Sequence, residues 1–461
     1  MCYQKETIAA IATPIGLGGI GIIRISGDNA EIIARKIFRP KRPIKSFKSF
    51  RLYLGHIIDP SSNLPIDEVL LSMMYAPLSY TREDVVEINS HSGYAILSNI
   101  LSLVLSLGAR LAKPGEFTLR AFLNGRIDLT QAEAIIDLIN AKGDISVRLA
   151  ANQLGGNFKK KIAKIRKKII WALSQVDASI DFPDEESDVI TELQLSNYIN
   201  KSILKPLKSL ISAHSQRKIW HEGTTVVIAG RVNAGKSSIF NRLLNKERAI
   251  VTPIPGTTRD VVECTVTLDG LPLKLVDTAG IRKVKGKVEE KGIKLTKNQI
   301  ALADIILLVV DWGRPLNQYD LGLLKEADHK TTILIINKVD LTRKLNETKI
   351  NCLFKNLPKV YISALTGKGF NDLSRAIFYK ITNNKTDISP IEIIPNLRQK
   401  TLLNKAADFL KNTGRNLKNG FPLDLVASDL LWAKDSIDEI TGDKTNEEIV
   451  NTIFSRFCIG K

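Results

Sequence analysis

Gly230-Arg-Val-Asn-Ala-Gly-Lys-Ser-Ser238 follows an apolar, β-branched run from Thr224 to Ala229 and precedes the helix-like Ile239-Phe-Asn-Arg-Leu-Leu. The pattern is G-x-x-x-x-G-K-S with a strand before it and a helix after, the context in which such a loop wraps a phosphate. Gly230 and Gly235 let the backbone approach an anion closely, so that successive N–H groups and the helix N-terminus face it. Lys236 would then reach the β- and γ-phosphates of a nucleotide, and the hydroxyl of Ser237 would hold Mg²⁺.

At 461 residues the chain is too long for one core, and two to four domains are expected. Its 44% apolar and 25% charged residues are those of an ordinary soluble protein. No run reaches the ~18 apolar residues of a membrane span, and Met1-Cys-Tyr-Gln-Lys-Glu6 carries no signal-peptide apolar stretch. Cys2, Cys264, Cys352 and Cys458 are scattered without a C-x-x-C pair. They read as free thiols in a reducing cytosol, not as a disulfide framework or zinc knuckle. The expected location is cytoplasmic. The net charge of +18 suggests a polyanionic partner, nucleic acid first. A genome biased toward Lys, Ile and Asn would give the same excess without binding, so charge alone leaves both readings open.

In chain order, residues 1–120 read as a mixed α/β domain with strands at Thr7–Thr13, Gly21–Ser26 and Val85–Ile88 and a helix at Ala95–Leu107 ended by Gly108. Gly16-Leu-Gly-Gly-Ile-Gly21 matches G-x-G-x-x-G but is followed by a strand, so it reads as a turn and not as a dinucleotide site. Thr130-Gln-Ala-Glu133 reads as a capping box before an amphipathic run to about Leu154. Lys159–Ser179 continues the helical period with a basic cluster, either a solvated face or a tRNA-facing surface. Asp181-Phe-Pro-Asp-Glu-Glu186 breaks it, and Asn197–Ser215 resumes. Residues 218–382 alternate strand and helix, with Ile305–Val310 and Ile333–Ile336 as strands buried on both faces. Asn383–Pro395 is a linker, and helices follow at Thr401–Lys411, Leu423–Ile440 and Glu447–Phe457. The expectation is an α/β domain inserted in a helical domain; two separate helical domains remain the alternative.

The rest of a nucleotide site follows in order. Asp277-Thr278-Ala279-Gly280 ends a strand where an aspartate holds Mg²⁺ through water and the Gly280 N–H senses the γ-phosphate. Asn337-Lys338-Val-Asp340 ends the next buried strand, and Asp340 can accept from the N1–H and amino group of guanine, which adenine lacks. Ser363-Ala364-Leu365 stands where a third, base-contacting loop belongs. The order resembles the translation-factor class of GTPases, with Thr252-Pro253-Ile254-Pro255-Gly256-Thr257-Thr258 as first switch and Thr258 as second Mg²⁺ ligand. The candidate GTP contacts are these residues together with Asn233, Ala234, Gly235, Lys236, Ser237 and Ser238. Ile281 stands where Ras-like enzymes carry a water-orienting glutamine, and no arginine finger is identifiable. Asn233 could help hold a monovalent cation against the phosphates. Glu289 could position water, although Lys287-Val-Glu-Glu-Lys-Gly-Ile also reads as an ordinary charged helix start.

The loop, Gly256-Thr-Thr-Arg-Asp260 and Asp277-Thr-Ala-Gly-Ile-Arg282 resemble both ribosome-assembly GTPases and the MnmE (TrmE) tRNA-modification GTPases. The flanks favour the second: Ala12–Gly27, Pro114-Gly-Glu-Phe-Thr118, Arg120-Ala-Phe-Leu-Asn-Gly-Arg-Ile-Asp-Leu129, Asp181–Glu186 and the terminal Phe457-Cys-Ile-Gly-Lys461 all resemble that family. The resemblance covers essentially the whole chain.

It implies an α/β P-loop GTPase domain (218–382) inserted in an all-α helical domain (121–217 and 383–461). An α+β folate-binding and dimerisation domain (1–120) precedes them. It implies K⁺ in place of an arginine finger, held by Asn233 and Thr257 side chains and the carbonyls of Thr252 and Ile254, with Mg²⁺ on Ser237 and Thr258. Glu289 aligns with the family's water-positioning glutamate, and Lys236 and Cys458 complete the candidate catalytic set. A 5-formyltetrahydrofolate-like cofactor would meet Arg24, Glu87, Arg126 and Lys461. Arg126 stands in place of a lysine, and Ser90 and Ser92 in place of small residues. Cys458 is either a small buried thiol or part of the modification site. The implied function is a K⁺-dependent GTPase, homodimeric and without a membrane partner. With an FAD-dependent MnmG (GidA)-type partner it adds an aminomethyl-type group to C5 of the tRNA wobble uridine. A GTPase binding rRNA in ribosome assembly is the alternative.

Overall fold

The structure, a computed structural model, describes residues 6–14, 16, 18–181, 190–217, 219–220, 223–246, 262–268, 270–277, 300–326, 331–353, 355, 357–382 and 393–461. The expected break at 182–186 and most of the linker, 383–392, lie outside them. The chain divides into two compact units, Met1–Ile136 with Gln153–Ser209 and Arg398–Lys461, and Asp137–Asn152 with Leu210–Leu397. The second unit is therefore inserted in the sequence of the first.

The first unit opens with a seven-stranded sheet built from β1 (Ile8–Ile11), β2 (Ile20–Ser26), β3 (Phe38–Pro40), β4 (Arg51–Ile58), β5 (Pro65–Met74), β6 (Val85–His91) and β7 (Arg110–Leu111), in the order β3-β4-β5-β6-β2-β1-β7. Strand alternation sends Ile23 and Ile25 of β2 into a core with Leu71, Met73 and Ile88. The helices Ala30–Ile37 and Tyr94–Ser106 close that core with Ile33, Ile37, Leu97 and Ile100. Arg24, between two inward isoleucines, points to the opposite face. The antiparallel register sets it directly across from Glu87 of β6, a cross-strand pairing that favours opposite charges.

The Pro114–Thr118 and Arg120 segment forms the helix Glu116–Leu123 and a buried ionic network. Arg120 is fully buried and donates to Glu83 at 2.9 Å, Glu116 at 3.2 Å and the Glu6 carbonyl at 2.8 Å. Glu116 also receives both terminal nitrogens of Arg110, at 3.0 and 2.7 Å. A buried cation is tolerable only with such partners.

The remaining helices of this unit include Leu129–Ile139, Asn157–Asp181, Leu397–Lys418, Leu423–Thr441 and Glu447–Phe454. The capping box is displaced by two residues. Asp128 Oδ1 accepts from the Gln131 N–H at 2.8 Å, and Gln131 Oε1 accepts from the Asp128 N–H at 3.0 Å. Thr130 lies inside the helix and donates to Asp128. Glu133 instead accepts two bonds from Arg398, at 2.8 and 2.9 Å, and one from Gln399 at 2.6 Å. A buried carboxylate gains more from those donors than from capping. The run to Leu154 is two helices, Leu129–Ile139 and Asp144–Leu154, with the helix-weakening Gly143 between them. Among the described residues no helix is long and apolar enough to cross a membrane.

The second unit contains a six-stranded sheet: β8 (Thr224–Gly230), β9 (Val262–Leu268), β10 (Leu271–Asp277), β11 (Ile305–Asp311), β12 (Thr332–Asn337) and β13 (Lys359–Ile362), ordered β13-β12-β11-β8-β10-β9. All neighbours are parallel except β9 and β10. Every residue of β11 and β12 is buried, because apolar clusters lie on both faces. In such sheets ligands bind beyond the carboxyl ends of the strands. Here Gly230, Asp277, Asp311 and Asn337 each end a strand, and Ser363 directly follows β13.

Candidate functional site

The turn after β8 supplies a phosphate cradle. Gly230 and Gly235 have φ of 147° and 97°, and Asn233, at 63°, is also left-handed, a conformation asparagine tolerates better than most residues. A Cβ on Gly230 would lie 2.4 Å from the Val309 carbonyl oxygen and one on Gly235 2.2 Å from Asn337 Nδ2, so the loop admits only glycine at both. The helix Lys236–Lys246 starts at once, with Ser237 and Ser238 exposed in its first turn. Lys236 is nearly buried. Its ammonium donates to the carbonyls of Gly230 and Arg231, both at 2.9 Å, and so sits within the loop. Arg231, the loop's other cation, donates to the Pro315 carbonyl and lies 3.6 Å from Asp320. Burial raises the Asp320 carboxyl above its ordinary pKa, while the nearby Arg231 draws it back.

The β12 end joins this cradle to the loop after β13. Asn337, 1% exposed, donates from Nδ2 to the Ala234 carbonyl at 2.9 Å and accepts at Oδ1 from the Ala364 N–H at 3.0 Å. Lys338, itself at φ 68°, donates to the Asn233 carbonyl at 2.7 Å and to Asp311 at 2.8 Å. Asp340 is exposed and accepts from the buried Ser363 hydroxyl at 2.5 Å. One carboxylate oxygen is thereby fixed while the group still faces solvent. Arg242, from the helix after the cradle, donates to the carbonyls of Ala364 and Leu365 at 2.9 and 2.8 Å. Leu365 is 81% exposed at the rim.

The sequence reading missed Asp311 and Arg242. Asp311 was visible as the lone carboxylate ending the apolar run Ile305–Val310; Arg242 had no signal beyond its place on the helix. The backbone of Asp277 ends β10. Thr252, Pro253, Ile254, Pro255, Gly256, Thr257, Thr258, Thr278, Ala279, Gly280, Ile281 and Glu289 lie outside the described residues.

A second cluster lies in the first unit. Arg24 donates from Nε to Glu87 at 2.8 Å and from Nη1 to the Gly460 carbonyl at 3.2 Å. Its guanidinium lies 5.4 Å from the centre of the Tyr80 ring, and that of Arg126 4.8 Å from the same ring. Tyr80 thus gathers both arginines by cation–π contact. Lys461, next to Gly460, donates its N–H to the Cys458 carbonyl at 3.3 Å, and that carbonyl also accepts from Gly115 at 3.4 Å. Cys458 is exposed, which removes the buried-thiol reading. The Ser92 hydroxyl accepts from the Gly18 N–H and donates to the Gly18 carbonyl, and the Ser90 hydroxyl donates to the Gly21 carbonyl, so these serines pin the glycine-rich turn.

The family model "GTP-binding protein TrmE N-terminus" matches residues 7–126, and "MnmE helical domain" matches residues 129–458. The tRNA modification GTPase MnmE of Acetivibrio thermocellus is 41% identical over 459 residues, covering 100% of both chains. That of Natranaerobius thermophilus is 44% identical over 457 residues, covering 99% of this chain and 100% of the relative. Among solved structures, the G domain of the T. maritima FeoB iron transporter is similar at 26% identity and a TM-score of 0.27, over 35% of this chain and 98% of that one. A helical-domain match across residues 129–458 and relatives above 40% identity along the full length place this chain in the MnmE family of tRNA modification GTPases.

Proposed function

We propose that this chain binds and hydrolyses GTP and acts in tRNA modification. The observation that carries the first part is the coupling of the phosphate cradle to the base loop through Asn337, beside a fixed, solvent-facing Asp340. The N–H groups of residues 233–238 and the Lys236 ammonium bind the phosphates, and Asp340 accepts from the guanine N1–H and amino group. Ser237, exposed in the first helical turn, fits a Mg²⁺ ligand and acts with Thr258; the ion neutralises charge between the phosphates.

The finer reading has K⁺ held by Asn233, Thr257 and the carbonyls of Thr252 and Ile254, supplying the positive charge that an arginine finger provides elsewhere. The commitment of Arg231 to Pro315 and Asp320 supports this, since it leaves the loop without a mobile guanidinium of its own. Glu289 positions the attacking water. Arg24, Glu87, Arg126 and Lys461 hold a 5-formyltetrahydrofolate-like cofactor, which supplies a one-carbon unit. Two guanidinium groups over one aromatic ring beside a carboxylate suit an anionic, N–H-bearing heterocycle. The chain works in the cytoplasm as a homodimer with an FAD-dependent MnmG-type protein on C5 of the wobble uridine, and exposed Cys458 stands at the modification site.

Two measurements test this. Nucleosides of tRNA from cells lacking the chain are compared by mass spectrometry with those after restoring it; wobble uridines unchanged in both would sink the tRNA reading. GTP hydrolysis is measured in KCl and in NaCl. Equal rates, or K⁺ stimulation that survives Asn233→Ala, would remove the cation from the mechanism.

A further inference from the structure

The helix Asn157–Asp181 carries seven Lys and Arg residues and no Asp or Glu between Asn157 and Val176. A merely solvated helix interleaves opposite charges, since like charges three and four apart repel. Lysines in a first helical turn also oppose the helix dipole. Some of these cations have partners in the fold. Lys159 lies 3.8 Å from Asp128, Arg166 donates to Asp438 at 2.5 Å, and Lys168 donates to the Ser202 carbonyl at 3.0 Å. Lys160, Lys164 and Lys167 are exposed and make no ion pair among the described residues.

These three follow one another at four and three residues, and Trp171 stands four further on, so all four lie along one stripe of the helix. Trp171 is 39% exposed, and its ring centre lies 4.2 Å from that of Tyr198 on the neighbouring helical segment. That segment runs antiparallel alongside, as the Trp171–Tyr198 and Lys168–Ser202 contacts fix, and adds the exposed Lys205. The lysine rise of about 5–6 Å per turn is close to the phosphate spacing of a nucleic-acid backbone. Exposed Trp171, backed by the half-buried Tyr198 ring at the end of the lysine stripe, offers a face on which an unpaired base stacks.

We propose that Lys160, Lys164, Lys167, Lys205, Trp171 and Tyr198 form an RNA-docking surface, with the lysines on backbone phosphates and the aromatic pair under an unpaired base. This rests on the tRNA reading and names the face that contacts it. RNA is favoured over an acidic protein because a protein partner would not need a stacking platform at the end of a phosphate-spaced stripe.

The test is binding of the full-length chain to labelled tRNA across 50 to 300 mM KCl. The triple variant K160Q/K164Q/K167Q is expected to weaken binding about tenfold or more at the higher salt. It should also flatten the log–log salt slope by about 2–3, near 0.7–0.9 per lost phosphate contact. W171F retains the stack and W171A weakens binding severalfold with little change in slope. Far-UV circular dichroism and the thermal melt of each full-length variant, matched to wild type, report that the unit carrying these residues is folded. If the wild type binds tRNA and the triple variant keeps its affinity and slope, the surface is overturned while the tRNA reading stands. If the wild type binds no tRNA, both fall. If the triple variant keeps RNA binding but no longer retains an acidic protein that the wild type retains, the surface belongs to that protein and the proposal is overturned.

Discussion

Asn337 Nδ2 lies 2.9 Å from the Ala234 carbonyl oxygen, so the end of β12 is tied to the middle of the phosphate cradle. The other end of the same amide takes the Ala364 N–H, and one side chain fixes the distance between phosphate and base subsites. Asn337→Ala removes both bonds and strips a buried carbonyl of its donor, a loss of ~1–3 kcal/mol per unmade bond. The Kd for GTP is expected to rise by about 10- to 100-fold in a fluorescent-nucleotide titration. A change within twofold would show that the loops hold their spacing without it.

Asp340 predicts base choice independently of affinity. Ser363 holds one of its carboxylate oxygens, and in the proposed site the group accepts from guanine. Asp340→Asn replaces an acceptor by a donor, which suits a purine with a carbonyl at C2 in place of the amino group. Hydrolysis should shift from GTP toward XTP, by about 100-fold or more in the ratio of kcat/KM. A variant that loses both substrates equally would place Asp340 outside the base site.

The nucleotide cradle was legible because its chemistry is local. Glycines, a lysine and a hydroxyl must stand at fixed spacing on one turn, and the strands Ile305–Val310 and Ile333–Ile336 are apolar at every position because both faces are covered. The links between loops were not legible. Nothing in the sequence says that Asn337 reaches Ala234 or that Arg242 reaches Leu365, because parallel register sets those distances. Strands β4 and β5 escaped the reading for a related reason. Leu52, Leu54 and Leu70 remain exposed on their outer face, so the usual inward-apolar, outward-polar alternation is blurred. Thr130-Gln-Ala-Glu133 has the form of a capping box, yet tertiary contact with Arg398 claims Glu133 and leaves the cap to Asp128.

The Arg24 cluster predicts a folate effect separable from GTP chemistry. Arg24 meets Glu87, Tyr80 and the Gly460 carbonyl at once. Arg24→Gln is expected to weaken 5-formyltetrahydrofolate binding by about 10- to 100-fold in equilibrium dialysis, the cost of a charged hydrogen-bonded pair. Deleting Gly460 and Lys461 removes the carbonyl that Arg24 uses and should act in the same direction. Both variants should hydrolyse GTP at the wild-type rate. Folate binding that survives both changes would place the cofactor elsewhere.

Asp128 gives a stability prediction with a definite sign. Burial raises its carboxyl above the ordinary value of 3.8, against the lowering effect of the Thr130 hydroxyl and the Gln131 N–H. The charged form is thus the disfavoured one in the fold. The contribution of Asp128 is fully present while the group is protonated, below about pH 4, and declines as pH rises through the raised value. Asp128→Asn keeps an acceptor for the Gln131 N–H but cannot ionise. Wild type should therefore lose stability relative to this variant between pH 4 and pH 7. Asp128→Ala, which removes the cap, should cost about 1 kcal/mol relative to Asp128→Asn at every pH, since neither variant ionises there. Thermal melts followed by circular dichroism at pH 4, 5.5 and 7 separate the two effects. A wild-type minus Asp128→Asn difference that stays flat across that range would mean that burial does not disfavour the carboxylate, and the cap would then be electrostatically neutral.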